Sequence, residues 1–453
     1  MNLHVIILAA GKGSRMKSKL PKVLHPLAGK PLLHHVITTA KALNPSALHV
    51  VVGHEAELVT DSLVDDAISW TVQDQQLGTG HAVSQALPNV PEDATVLILY
   101  GDVPLTHSAT LTEMLTLVDA QSMALLTVDI ADPSGYGRIV RDSADDISAI
   151  VEDKDASDEQ KRIHEVNTGI MAARAIDLKA WLPALSSDNA QGEYYLTDIV
   201  EMAVKSGKDV QASQPSNLEE VQGVNNRLQL CELECFVQSQ NAERLMLSGV
   251  TLFDPNRIDI RGQLSTGVDI TIDVNTVFLG EVALEDDVVI GANCWLKDVT
   301  VKKGSHIHPN SVLEGAVVGE DSQIGPFARI RPGTILEANT KVGNFVETKK
   351  TLVGKGSKIN HLSYVGDATL GENVNVGAGT ITCNYDGVNK FETSLGDDVF
   401  VGSNTSLVAP VVIESNATIA AGSVITSDVS QSQLAVARGK QRNIANWQRP
   451  KKL

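Results

Sequence analysis

The chain has 453 residues, 43% hydrophobic and 20% charged, with a formal net charge of -18. That length gives a soft prior of about three domains, and the acidic balance excludes non-specific nucleic-acid binding, so Arg15, Lys22, Lys349 and Lys350 are candidates to draw in any anionic substrate. Four cysteines (Cys231, Cys235, Cys294, Cys383) form no C-x-x-C pair, and no stretch has signal-peptide or membrane-spanning character, so a reduced cytoplasmic protein without membrane insertion is expected.

The apolar run Leu3 to Ala10 suits a buried parallel strand, and it leads into L-A-A-G-K-G-S-R-M from Leu8 to Met16, then Pro21-Lys22. Gly11 and Gly13 let backbone N–H groups approach phosphate oxygens, while Arg15 and Lys22 add a forked and a compact positive charge. The pattern matches neither a Walker A loop nor a dinucleotide fingerprint, because Met16 stands where the third glycine would be. It implies phosphate binding and phosphoryl or nucleotidyl transfer.

Apolar runs at Leu48 to Val52, Thr95 to Tyr100 and Ala124 to Val128 alternate with helical patterns at Leu32 to Leu43 and Thr110 to Val118. This alternation predicts an α/β doubly wound, Rossmann-like sheet. The run ending at Tyr100 continues into Gly101-Asp102, which places a carboxylate on the same edge as the glycine loop and makes Asp102 the first choice for a magnesium ligand. In Q-D-Q-Q-L-G-T-G-H, Gln73 can read a base edge while Gly78 and Thr79 let a ring approach; His81 is assigned to the following helix rather than to chemistry. A second glycine loop, S-G-Y-G-R, runs from Ser134 to Arg138.

A long helix is predicted from Asn225 to Ser248, with an apolar stripe through Leu228, Cys231, Cys235, Ala242 and Leu245 that places both cysteines in packed core. Beyond it, aliphatic residues recur every six positions, as at Val318, Ile324, Ile330, Leu336 and Val342, and again from Leu395 to Ile425, with a small or β-branched residue two positions before each. Two inward positions per short strand predict a hexapeptide β-helix. The ladder breaks at Asn384 to Glu392, a loop that carries Tyr385, and His361, close to the inward Ile359, is expected to point outward as a base for an amine.

L-A-A-G-K-G-S-R-M, Y-G-D, G-E-Y-Y-L-T-D, G-V-N-N-R, R-P-G, N-H-L-S-Y-V-G-D and I-T-C-N-Y-D-G, together with the ladder, resemble one family over nearly the whole chain. It is that of the bacterial bifunctional N-acetylglucosamine-1-phosphate uridylyltransferases and glucosamine-1-phosphate acetyltransferases. The resemblance implies a uridylyltransferase domain over residues 1–226, a linker helix over 227–249 and a left-handed β-helix acetyltransferase domain with a C-terminal tail over 250–453. It further implies a homotrimer formed through the β-helix, with acetyl-transfer sites between subunits, supplying cell-envelope precursors.

By that resemblance Leu8, Ala9, Ala10, Gly11, Gln73, Gly78 and Thr79 hold UTP, with Arg15 and Lys22 on its phosphates. Tyr100, Gly101, Gly137, Glu152 and Asn167 lie on the sugar side, and Asp102 and Asn225 hold Mg2+. Arg331, Lys349, Tyr364 and Asn375 would bind glucosamine 1-phosphate, with His361 deprotonating its amine. Ala378, Asn384, Tyr385, Ser403, Ala421 and Arg438 would contact acetyl-CoA, Ser403 also being a candidate oxyanion donor, and the basic tail from Arg438 to Arg449 would reach the coenzyme phosphates. Two rivals share the two-part plan: an adenylyltransferase with a regulatory β-helix, and a non-catalytic exchange-factor subunit. His361, Asn375 and the Asn384 loop oppose the first; Arg15, Lys22 and Asp102 oppose the second.

Overall fold

A computed structural model describes residues 2–450 and 452. The chain divides into two compact units, with the boundary between Phe236 and Val237. The main sheet of the first unit contains β1 (Leu3–Ala9), β2 (Ala47–Val52), β3 (Ile68–Val72), β4 (Thr95–Tyr100), β5 (Ser122–Asp129), β6 (Glu165–Arg174) and β7 (Asp209–Ser213). Their spatial order is β7-β5-β6-β4-β1-β2-β3. Strands β4, β1, β2 and β3 are parallel.

Strand β6 runs antiparallel to both β4 and β5, a departure from a purely parallel sheet. It also pairs with Arg138–Arg141, which forms a hairpin with Ile147–Val151. Strand β1 is buried along its whole length because Val5, Ile7 and Ala9 feed one core while Ile6 and Leu8 feed the other. Helices α1 (Leu32–Ala42), α2 (Thr79–Ala86) and α3 (Ser108–Leu115) are among those that cover the sheet. This doubly covered parallel core puts the turns after β1, β2, β3 and β4 on one edge.

The long helix α4 spans Arg227–Leu247, ending before Gly249 at φ 97. Its two halves belong to different compact units. The expected apolar stripe is corrected: Leu228 is 67% exposed, Cys231 and Cys235 are exposed, and the buried positions are Leu233, Ala242 and Leu245. The first half is held by polar contacts instead, with Ala28 N–H donating to Glu234 Oε2 at 2.7 Å and Arg227 Nε to the Met16 carbonyl at 3.4 Å.

The second unit is a stack of three-sided coils. An 11-stranded parallel sheet from Thr251–Leu252 to Leu434–Ala435 forms the first face. Longer strands of a 13-stranded sheet bend at left-handed residues and cover the other two, as Glu347–Val353 does at Lys350. The six-residue ladder is the core, since Val318, Ile324, Ile330 and Val342 are each 0% exposed, and the small positions Ser322, Thr334 and Thr340 are buried beside them. Stacking buries what no single coil could bury alone.

Candidate functional site

The turns after the parallel strands of the first unit enclose a cleft of about 430 Å³. Leu8, Ala9, Ala10, Gly11, Lys22, Gln73, Gly78, Thr79, Tyr100 and Asp102 line it, with Lys12, Gln76, Ala82 and Glu193, which the sequence reading did not single out. Gly101 lies beneath, its N–H donating to the Leu8 carbonyl at 2.9 Å.

At one end Lys22 Nζ forms an ion pair with Asp102 and lies 3.4 Å from Asn225 Oδ1, while Arg15 donates to the same Asn225 oxygen at 2.8 Å. Asn225 reaches the site because the Val224 N–H is tied to the Asp102 carbonyl at 2.9 Å. Residues more than 200 apart in sequence thus share one charge cluster. One compact cation, the Lys22 ammonium, touches both oxygens, so Asp102 and Asn225 fit as oxygen ligands for a hard ion.

At the other end Gly137, Glu152, Asn167 and Tyr100 form a second group. The Asn167 N–H donates to the Gly137 carbonyl at 2.8 Å, and a Cβ built on Gly137 would stand 3.6 Å from Glu152 Oε1. Burial pushes the Glu152 carboxyl up, partly offset by the Thr197 hydroxyl donating to it at 3.0 Å. Burial, reinforced by Glu152 and Asp102, holds the Tyr100 phenol well above its ordinary value, so it remains a neutral donor.

The segment G-E-Y-Y-L-T-D from Gly192 braces the Gly78–Thr79 side of the cleft. Gly80 N–H donates to the Tyr194 carbonyl at 2.9 Å and the Leu196 N–H to Thr79 Oγ1 at 3.1 Å. Gly78, at φ 117, must be glycine because a Cβ there would lie 2.6 Å from the Tyr194 oxygen. His81, expected to be a bystander in α2, contacts Gln73 Nε2 through Nδ1 at 2.9 Å. The one-turn offset from Gly78 brings it over the end of β3, a proximity that local periodicity does not carry.

In the second unit four of the expected residues fall in register. Main-chain bonds link Gly379 to His361, Asn404 to Ala378 and Gly422 to Ser403, so His361, Ala378, Ser403 and Ala421 occupy the same corner position on successive coils. At a strand spacing of about 4.8 Å this column runs roughly 14 Å from His361 to Ala421. Arg438 donates to the Ala421 carbonyl at 2.7 Å, placing that tail residue at the column's far end. His361 is exposed as expected, because its strand Lys358–His361 ends at the corner where Leu362 turns at φ 50.

Below His361 in the same column stands Asn344, whose Oδ1 lies 2.8 Å from His361 Nδ1. This partner was not singled out from sequence; only the coil register brings the two together. With the Nδ1–H donated to the amide oxygen, the Nε2 of the neutral ring keeps its lone pair.

Arg331 and Lys349 occupy the next corner and Tyr364 the face between. Lys390, also missed, comes from the extruded loop to lie against Lys349, and their proximity holds the Lys349 ammonium below its ordinary range. Arg331 is paired with Glu347 at 2.7 Å. Asn384 is buried with its amide on Asp367, whereas Tyr385 is exposed and bonded to the Gly387 carbonyl. Asn375 is not brought to this group: it lies on the first face, in line with Lys358 and Phe400.

Comparisons with known proteins match these parts. A MobA-like NTP transferase domain model matches residues 5–164, a GMPPB C-terminal domain model residues 260–345, and a bacterial transferase hexapeptide (six repeats) model residues 392–427. A bifunctional protein GlmU of Marinobacter nauticus is 66% identical over 450 residues, covering 99% of each chain. One of Cellvibrio japonicus is 58% identical over 448 residues, again covering 99% of each. Among solved structures, a UDP-glucose pyrophosphorylase complexed with UDP-glucose aligns with a TM-score of 0.45 and 17% identity over 53% of this chain and 100% of that one. A nucleotidyltransferase sheet followed by a hexapeptide β-helix, with full-length identity at this level, places the chain in the family of bifunctional GlmU proteins.

Proposed function

We propose that the chain makes UDP-N-acetylglucosamine in two steps, acetylating glucosamine 1-phosphate from acetyl-CoA in the β-helix unit and then joining N-acetylglucosamine 1-phosphate to UTP in the first unit. The observation that carries this is the presence on one chain of the Lys22, Asp102 and Asn225 cluster in a cleft and of His361 with a free Nε2 on a β-helix column.

In the first unit the sugar phosphate oxygen attacks the α-phosphorus of UTP in line and pyrophosphate leaves, without a covalent enzyme intermediate. Lys22 and Arg15 stand beside Asn225 to receive the phosphates, and Glu152, Asn167 and the Gly137 turn orient the sugar. When bound, Mg2+ on Asp102 and Asn225 supplies neutralisation of phosphate charge.

In the β-helix unit His361 Nε2 takes the amine proton as the nitrogen attacks the thioester carbonyl and the thiol of coenzyme A departs. Ser403, whose register on the same column supports the role, donates to the oxyanion, and Lys349, Lys390 and Arg331 supply charge for the sugar phosphate. Coenzyme A extends along the column toward Arg438. A product assay with glucosamine 1-phosphate, acetyl-CoA, UTP and Mg2+ tests the whole sequence; absence of acetylated sugar phosphate refutes it.

A homotrimer completes the acetyl-transfer site. Two observations support this reading. Asn375 lies on a different face from Tyr364, so one sugar phosphate meets both most readily if a second copy contributes one of them. The corner residues Asn275, Asn293 and Asn310 are followed by Phe327, Phe345 and Leu362, all at positive φ and 49%, 58% and 63% exposed. Bulky apolar residues in that strained, exposed backbone are explained by burial against another chain. Sedimentation of Phe345→Asn tests it, with a shift toward monomer and loss of acetyl transfer expected. No described helix is long and apolar enough to cross a membrane, and the need for UTP and acetyl-CoA supports reading the enzyme as cytoplasmic.

A further inference from the structure

Gln73 is 3% exposed at the end of β3, and its side-chain nitrogen has two neighbours. Nε2 lies 3.1 Å from the Gly78 carbonyl and 2.9 Å from His81 Nδ1. A carbonyl can only accept, so the side of the amide facing Gly78 is the NH2 group. His81 Nδ1 therefore also accepts, which leaves the imidazole proton to Nε2; Gln85 Nε2 lies 3.2 Å from that nitrogen and has its own acceptors in the His81 carbonyl and the Ser84 hydroxyl, each at 3.3 Å. Both Gln73 donors are spent, and its Oε1 is the group left to face the cleft.

The two restraints are not equivalent. The Gly78 carbonyl also accepts the Ala82 N–H at 3.1 Å as part of α2, whereas the His81 Nδ1 lone pair serves the Gln73 amide. We infer that His81 is a positioning residue that locks the Gln73 amide with its carbonyl oxygen toward the nucleotide base, and so sets the preference for uracil over cytosine. Uracil offers an N3–H donor to that oxygen, while cytosine offers a bare N3 acceptor that it repels. The amide turned over presents NH2 and reverses the preference. This rests on the reading that the cleft takes a uridine nucleotide.

The test uses the full chain and pyrophosphate release with N-acetylglucosamine 1-phosphate and either UTP or CTP. In His81→Leu the UTP:CTP ratio of kcat/KM falls about tenfold, equivalent to about 1.4 kcal/mol, and the change lies in KM for UTP with kcat nearly unchanged, as for a contact made equally in ground and transition states. His81→Asn, whose Oδ1 can take the Gln73 donor, restores most of the ratio; His81→Ala replaces His81→Leu if the latter does not fold. Equal losses toward both nucleotides, or an unchanged ratio in His81→Leu while Gln73→Ala abolishes it, overturn the lock alone. An unchanged ratio in Gln73→Ala overturns base reading by Gln73 itself.

Discussion

Replacing Asn344 by leucine removes the acceptor that lies 2.8 Å from His361 Nδ1 with little change in side-chain volume. Asn344 is half-buried and His361 exposed, so the bond belongs near the middle of the usual 0.5–1.5 kcal/mol range. With it, the neutral ring is held in one tautomer and one orientation, and Nε2 faces outward as the base. Without it, both tautomers and several rotamers compete, and kcat for acetyl transfer falls about fivefold to tenfold. KM for both substrates is unchanged, because the amide touches the histidine. Uridylyl transfer, measured on the same preparation by pyrophosphate release, is the internal control and is unaffected. Asn344→Asp keeps the acceptor and adds a charge that favours the imidazolium, so the acid limb of its rate profile moves to higher pH. Thiol release from acetyl-CoA across that limb reads both effects. An unchanged kcat in Asn344→Leu, or equal losses in the two activities, refutes the positioning argument.

Other expectations follow from the same geometry. His361→Ala abolishes acetyl transfer and leaves uridylyl transfer intact, while Asp102→Ala does the reverse; loss of both activities in either folded variant sinks the two-site reading. Gly78→Ala combines a φ of 117 with a Cβ 2.6 Å from the Tyr194 oxygen, so uridylyl transfer drops at least about tenfold while acetyl transfer persists. His4 and His49 are buried and stacked, with His4 Nδ1 3.1 Å from His49 Nε2, and burial lowers both below the ordinary value of 6.5. The unfolded chain binds those protons more readily, so their contribution to stability is complete above about pH 6.5 and is lost as the pH falls below it. Thermal melts show this as a declining transition of the first unit, and a flat profile across that range contradicts it.

Much was legible because it is local. The glycine turn at Gly11, the carboxylate after β4 and the six-residue ladder each rest on spacing within a few residues, and the strand and β-helix periods follow from which side chains must face a core. The helix α4 stripe failed for the complementary reason. Leu228, Cys231 and Cys235 are apolar at helical spacing, yet that half of the helix is tied down by Glu234 and Arg227 through polar contacts, and hydrophobic periodicity carries no signal for those.

Sequence alone determined the two-part architecture, the glycine turn with its basic residues at the end of β1 and the outward position of His361, since period, glycine placement and charge act over short stretches of chain. Tertiary structure alone decided the partnerships. Asn225 meets Lys22 across more than 200 residues, His81 meets Gln73 around a glycine turn, and Asn344 meets His361 because one coil stacks on the next. Hydrogen bonds and charges act over a few ångströms of space, and only the folded register converts distance along the chain into that proximity.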